Sequence, residues 1–149
     1  MTQIPRSALL LGLAGLLPFI WGAFTTLFPA FALQMSQVFG SRFIGPYVQL
    51  SYGAVILSFM SGVLWGFATR AEGAVATSGY ALSVLPALWA FFMTGGGPTS
   101  ASINLIAGFI GLLLLDWHFW RLRLAPPWWM HLRVLLTAVV VICLLTGVI

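Results

Sequence analysis

LLLLDWHFWRLRLAPPWWMHLR, residues Leu112 to Arg133, carries one of the two acidic residues, both histidines, three of the six arginines and four of the seven tryptophans of the chain. Runs of nearly pure hydrocarbon lie on either side of it. Proline stops a helix and tryptophan prefers the boundary between water and lipid. A polar, aromatic cluster between two apolar runs therefore reads as the turn of a membrane hairpin, with Pro126-Pro127 at its tip.

The rest of the chain agrees with a bilayer as its solvent. Of 149 residues, 61% are hydrophobic and 5% charged, and the mean hydropathy is +1.07. A soluble domain carries about 25% charged residues, so this chain has no means of building a solvated surface. The expected fold class is an all-α integral membrane protein, a single bundle of five transmembrane helices over residues 1–149. In a soluble protein the net charge of +4 would suggest a nucleic-acid partner. Here the arginines stand at the ends of apolar runs, which is a topology signal and leaves no phosphate-binding patch. Cys143 is alone and inside the last apolar run, so it forms no intrachain disulfide or thiolate cluster and reads as a small hydrophobe.

Five spans follow from the apolar runs, at approximately residues 8–28, 44–69, 75–94, 101–120 and 129–147. The first resembles a signal peptide, but its apolar run exceeds the usual signal core and no clean cleavage site follows. Pro18 should kink it, and Gly12, Gly15 and Gly22 place a close-approach face along it. Between the first two spans, Phe31, Met35, Val38 and Phe39 share one helical face. A short helix lying in the interface explains that better than a spanning segment, with an ordered loop as the alternative. The second span carries the small residues Ser51, Ala54, Ser58 and Ser61 and the pair Gly62 and Gly66, a GxxxG expected to pack helices within the chain. Arg70 to Gly73 reads as a tight turn. Pro86 interrupts the third span, and Gly95 to Ser100 reads as a loop. The fourth span has a stripe of Ala101, Asn104, Gly108 and Gly111, on which Asn104 should hydrogen-bond to a neighbouring helix.

With five spans, the N-terminus, the Arg70 turn and the Pro126-Pro127 turn share one side, which holds Arg6, Arg70, Arg121, Arg123 and Arg133. The other side holds only Arg42. Such a bias puts the N-terminus in the cytoplasm, or the matrix of an organelle, and the C-terminus outside in the periplasm. Trp65, Trp117, Trp120, Trp128 and Trp129 then gather at the inner boundary.

Asp116 is the residue whose chemistry stands out. A carboxylate within a membrane helix costs about 2.5–3.5 kcal/mol at the helix centre, less near the boundary, so it normally has a partner or a task. Arg133 is its expected partner, with Arg121 and Arg123 also in reach, in an ion pair that pins the hairpin. With no second intramembrane acid, neither a proton chain nor two-carboxylate hydrolysis is legible. His118 and His131 flank the turn and are candidate ligands for haem or a metal, but interfacial histidines beside arginines and tryptophans are commonplace. No cofactor or metal is therefore expected, and no serine, histidine and acid can be placed together as a nucleophilic centre.

Several segments resemble one family. They are Ile4-Pro5-Arg6-Ser7, Tyr52 to Phe59 running on to Trp65-Gly66, Gly79-Tyr80 with Ser83 to Ala87, and Leu112 to Asp116. In this order they are similar to a family of small inner-membrane proteins that includes the mitochondrial transmembrane protein 69, a domain of unknown function. The resemblance implies a membrane protein of proteobacterial or organellar type, and no activity or cofactor. Two functions from different classes suit these residues. One is a non-enzymatic accessory or assembly subunit of an inner-membrane complex, acting through helix contacts. The other is a binder or carrier of a small hydrophobic ligand, a quinone, tetrapyrrole or lipid, at Trp117, Trp120, Trp128 and Trp129. A transporter fits less well, since five spans do not divide into equivalent halves.

The arginine split makes orientation testable. A reporter active only in the periplasm should give signal when fused after Ile149 and none when fused after Glu72; the reverse pattern overturns the assignment.

Overall fold

Prolines set where the helices of this chain start and bend. The computed structural model describes residues 3–149, and among them every regular element is helical. Helices α1 (Arg6–Ala14) and α2 (Leu17–Leu27) form one bent span. Pro18, the second residue of α2, has no N–H to give to the Ala14 carbonyl, and the chain tightens there through a Leu16 N–H to Leu13 O bond of 3.0 Å. Helices α5 (Gly73–Ser83) and α6 (Leu85–Met93) repeat the device around Pro86. At that break the Ala87 N–H donates to Ser61 Oγ of helix α4 (Pro46–Ala68) at 2.8 Å, so a neighbouring helix caps the interruption.

Three more prolines stand at first helical positions, where a missing N–H is harmless and φ is already set. They open α3 (Pro29–Phe39), α4 and α7 (Pro98–Arg121). This corrects the reading of Gly95 to Ser100 as a loop throughout: the glycines are irregular, whereas Pro98, Thr99 and Ser100 already form the first turn of α7. The expected segment between the first two spans is indeed a helix, α3. None of its residues is buried, and Phe31 lies edge-on to Trp21 and Phe24 of the first span. A short 3-10 turn, Ser41–Phe43, leads into α4.

Four segments are long and apolar enough to cross a membrane, α1–α2, α4, α5–α6 and α7. The fifth, α8 (Trp129–Leu145), has 17 residues, about 25 Å of helix against a hydrocarbon layer of about 30 Å. Helix α4 is the centre of the bundle, packed against α2, α5, α6 and α7. Helix α8 packs against α7 on one side and α1 and α2 on the other. Polarity is inverted relative to a soluble protein: Phe91 and Leu11 are 78% and 74% exposed, whereas Gln49, Asp116, Arg133 and Thr137 are buried. Large apolar side chains outside and polar ones inside suit a lipid solvent.

Close approach is concentrated at a few glycines. A methyl group on Gly22 would meet Val48 Cγ1 at 2.9 Å, on Gly53 it would meet Leu105 at 2.9 Å, and on Gly108 it would meet the Trp89 ring at 2.7 Å. At Gly12 it would meet Leu136 at 3.2 Å, and at Gly15 the Tyr52 hydroxyl lies 3.7 Å away. Gly62, Gly66 and Gly111 differ from expectation, because nothing lies within 4 Å of a methyl on any of them. The reason is helical phase: α4 buries Gln49, Gly53, Leu57, Ser61, Leu64 and Ala68. Gly62, Gly66 and the exposed Ser58 fall on the opposite side.

Gly108→Ala should lower stability in detergent by about 1–3 kcal/mol through overpacking against Trp89. Gly111→Ala, with open space and one less flexible helical residue, should raise it by about 0.5–1 kcal/mol. Thermal unfolding of the two variants checks the order.

Candidate functional site

The hairpin is made by the end of α7 and the start of α8. Along α7 the buried positions Leu105, Phe109, Leu112, Asp116 and Phe119 recur every three or four residues, so Asp116 shares the inward stripe of the core. On α8 the corresponding face carries Arg133, Thr137, Val140 and Leu144. Asp116 is fully buried, and Arg133 Nε donates to its Oδ2 at 2.7 Å. Trp129 Nε1 donates to Oδ1 at 2.8 Å. Each carboxylate oxygen thus has one donor, and the pair is single-pronged rather than the two-pronged fork common for arginine and carboxylate. Arg133 Nη2 is left buried with no partner among the described residues.

The turn itself is built from backbone bonds. Arg123 N–H donates to Trp120 O at 2.9 Å and Leu124 N–H to Phe119 O at 3.1 Å, with Arg123 at φ 59°. This is the paired closure in which a left-handed residue ends a helix, a place usually taken by glycine. Beyond it Trp129 N–H bonds Pro126 O at 3.0 Å, and the Trp120 indole bonds Pro127 O at 3.2 Å. Arg70, at the end of the second span, donates from Nη1 to Leu124 O at 3.0 Å. The turns on this side of the bundle are therefore tied together.

The other candidates are placed as follows. Arg121 lies over the Trp117 ring, its guanidinium carbon 5.3 Å from the centroid, and makes no bridge to Asp116. His118 is half-buried, edge-on to Phe119 at 5.9 Å, and His131 is exposed. Among the described residues no three of histidine, cysteine, aspartate and glutamate gather as a metal site. Trp128 lies 5.9 Å from Trp129, whose ring is edge-on to Phe67 of α4. A concavity of about 470 Å³ at the turn is lined by Arg70, Trp120, Arg121, Arg123 and Pro127 among others. Of the four hairpin tryptophans, Trp120 alone lines it. On the fourth span, Asn104 Nδ2 donates to Met93 O of α6 at 2.9 Å, and Trp89 Nε1 donates to Asn104 O at 2.7 Å.

A residue not singled out from the sequence, Gln49, proves to be a second polar anchor. Fully buried on α4, it donates from Nε2 to Phe19 O of α2 and to Cys143 O of α8, each at 3.0 Å, and so joins three helices. The signal was available: a glutamine one turn into an apolar span needs internal partners. Nearby, Thr25 Oγ1 accepts the Gly45 N–H at 2.7 Å, and the Trp21 indole bonds Phe43 O at 2.8 Å. These bonds latch the far end of the first span to the entry of α4.

Breaking a buried ion pair by removing one partner costs about 3–5 kcal/mol. Asp116→Asn should therefore sharply lower detergent stability, and Arg133→Gln should add little once Asp116 is gone; simple additivity would show the two uncoupled. Arg123→Gly, which relieves the left-handed residue, should stabilise by about 1 kcal/mol. Denaturation of the purified single and double variants reads both effects.

No solved structure matches the chain. It is 34% identical to "Transmembrane protein 69" of Xenopus tropicalis over 150 residues, covering 97% of this chain and 54% of that protein. To the "Transmembrane protein 69" of Mus musculus it is 31% identical over 142 residues, covering 91% and 52%. The chain thus spans about half the length of these curated relatives. The family described as "Protein of unknown function (DUF3429)" matches residues 4–149, the whole helical bundle with its buried Asp116 and Arg133, and the chain belongs to that family.

Proposed function

We propose that this protein is a non-enzymatic subunit or assembly partner of a larger complex in an inner membrane, and that it acts through helix contacts. The observation that carries this reading is the outward face of α4. Ser58, Gly62 and Gly66, spaced by four residues, are exposed to the lipid side, and a methyl on either glycine would meet nothing within 4 Å. Small residues at that spacing let a second helix approach backbone to backbone, which in a bilayer is what drives association. Beside Ser58, a shallow groove of about 350 Å³ between α4 and α6 is lined by Ala54, Ala87 and Ala90 together with Val55, Phe91 and Thr94. A helix of a partner subunit is the occupant that suits such a surface.

The inner-membrane location and the inward N-terminus rest on the arginine asymmetry. A ligand site at the hairpin has less support, because Trp129 and Trp120 give their indole N–H groups to Asp116 and Pro127 and Trp117 carries Arg121.

The test is the size of the particle released from native membranes by mild detergent. The unsubstituted chain should run in a complex well above its own 16.1 kDa. Gly62→Leu with Gly66→Leu should return it to the monomer, while Trp117→Ala and Trp128→Ala should leave the complex intact. A photo-crosslinker placed at Gly66 should trap the same neighbour. A particle that is monomeric from the start, or that survives the glycine changes, refutes the proposal.

A further inference from the structure

Three arginines meet at one end of the bundle. Arg70, Arg121 and Arg123 line the concavity of about 470 Å³ at the hairpin turn, together with Trp120, Pro126 and Pro127. Arg70 belongs to the turn after α4, Arg121 ends α7 and Arg123 lies in its closure, so the fold gathers charges that stand far apart in the chain. This corrects the expectation that the arginines leave no phosphate-binding patch. Like charges brought together repel, and no carboxylate compensates these. Among the described residues the one ion pair is that of Arg133 with Asp116, and Glu72, the only other acidic residue, bridges none of the three.

The walls of the pocket are fixed by bonds that leave the cations available. The Trp120 carbonyl accepts the Arg123 N–H at 2.9 Å, and the Trp120 indole donates to Pro127 O at 3.2 Å. Arg70 gives one N–H group to Leu124 O at 3.0 Å, and the rest of its guanidinium has no partner among the described residues. Arg121 lies over the Trp117 ring at 5.3 Å, a contact that engages the face of the guanidinium and not its N–H edge. All three arginines are exposed. Arg123 holds a left-handed φ of 59°, where glycine would be unstrained. Strain of this kind at a non-glycine residue is characteristic of ligand clamps, and what Arg123 adds that glycine would not is a third cation.

We infer that this pocket is a phosphate-binding site. Guanidinium forks match phosphate oxygens, and basic pockets between the ends of membrane helices hold anionic lipid head groups. The pocket lies where the second and fourth spans end, the level of the lipid phosphates. Arg121 also continues a face of α7 that carries Trp117 and Leu114, 45% and 64% exposed. An acyl chain attached to the phosphate thus has an apolar path from the pocket into the hydrocarbon. An anionic lipid is the source that this position favours, and a soluble phosphate presents the same oxygens. The site shares no residue with the outward face of α4, since Ser58, Gly62 and Gly66 do not line it.

The experiment is titration of the purified full chain in mild detergent with dioleoylphosphatidylglycerol and with dioleoylphosphatidylcholine, read by native mass spectrometry. The choline lipid has the same phosphate but adds a cation that the arginines repel. Phosphatidylglycerol should saturate at one per chain and bind at least about fivefold more tightly than phosphatidylcholine. Arg121→Gln and Arg123→Gly should each weaken it about five- to tenfold. Arg6→Gln removes an equal charge outside the pocket and should leave binding within about twofold. Arg123→Gly also separates binding from folding, because it should stabilise the chain while weakening the lipid. Bound lipid that inorganic phosphate displaces assigns a soluble phosphate as the ligand, and lipid that it does not displace assigns the head group. The inference is overturned if the two lipids bind alike, if Arg6→Gln loses as much binding as Arg121→Gln, or if both pocket variants bind like the unsubstituted chain.

Discussion

Hydrocarbon offers no hydrogen bonds, so a polar group carried into the bilayer gains most from a partner inside the protein. The Gln49 amide shows the consequence at one end of the bundle, where a single side chain holds the Phe19 and Cys143 carbonyls and thereby three helices. Asp116 shows it at the other, shared between Arg133 and Trp129. The apolar contacts between these anchors are no different in kind from contacts with lipid tails. What they add is packing, and the register of the helices is set by the polar ties.

The same constraint explains how two bent spans are tolerated. A proline within a helix frees backbone groups that water would satisfy in a soluble protein. Here the break at Val84 is capped by Ser61 from α4, and the first span closes its own break with a tightened turn. Beyond the break, α2 packs on both α4 and α8, whereas α1 packs on α8.

Reading from sequence succeeded where a residue type has one physical use. The apolar runs mark the spans, Pro18 marks a bend, and Asp116 requires a cation on the next helix. It was less informative where two faces of a helix are both small. On α4 the serines and glycines occupy both sides, and composition does not say which side meets α2 and α7. Gly53 and Ser61 turned inward while Ser58, Gly62 and Gly66 turned outward, and the buried Gln49 set that phase. The closure that follows α7 was not legible for another reason, since its left-handed residue is Arg123 rather than glycine.

The sequence by itself determined the solvent, the number of apolar segments and the need for an internal partner to Asp116, because these depend on hydropathy, length and the cost of a charge in hydrocarbon. Tertiary structure decided which donors meet that carboxylate, which small faces are used internally and which are left to the lipid, and where a cavity opens. Those outcomes depend on the rotation of each helix about its axis. Rotation is fixed by the joint packing of several helices, and no single segment of the chain encodes it.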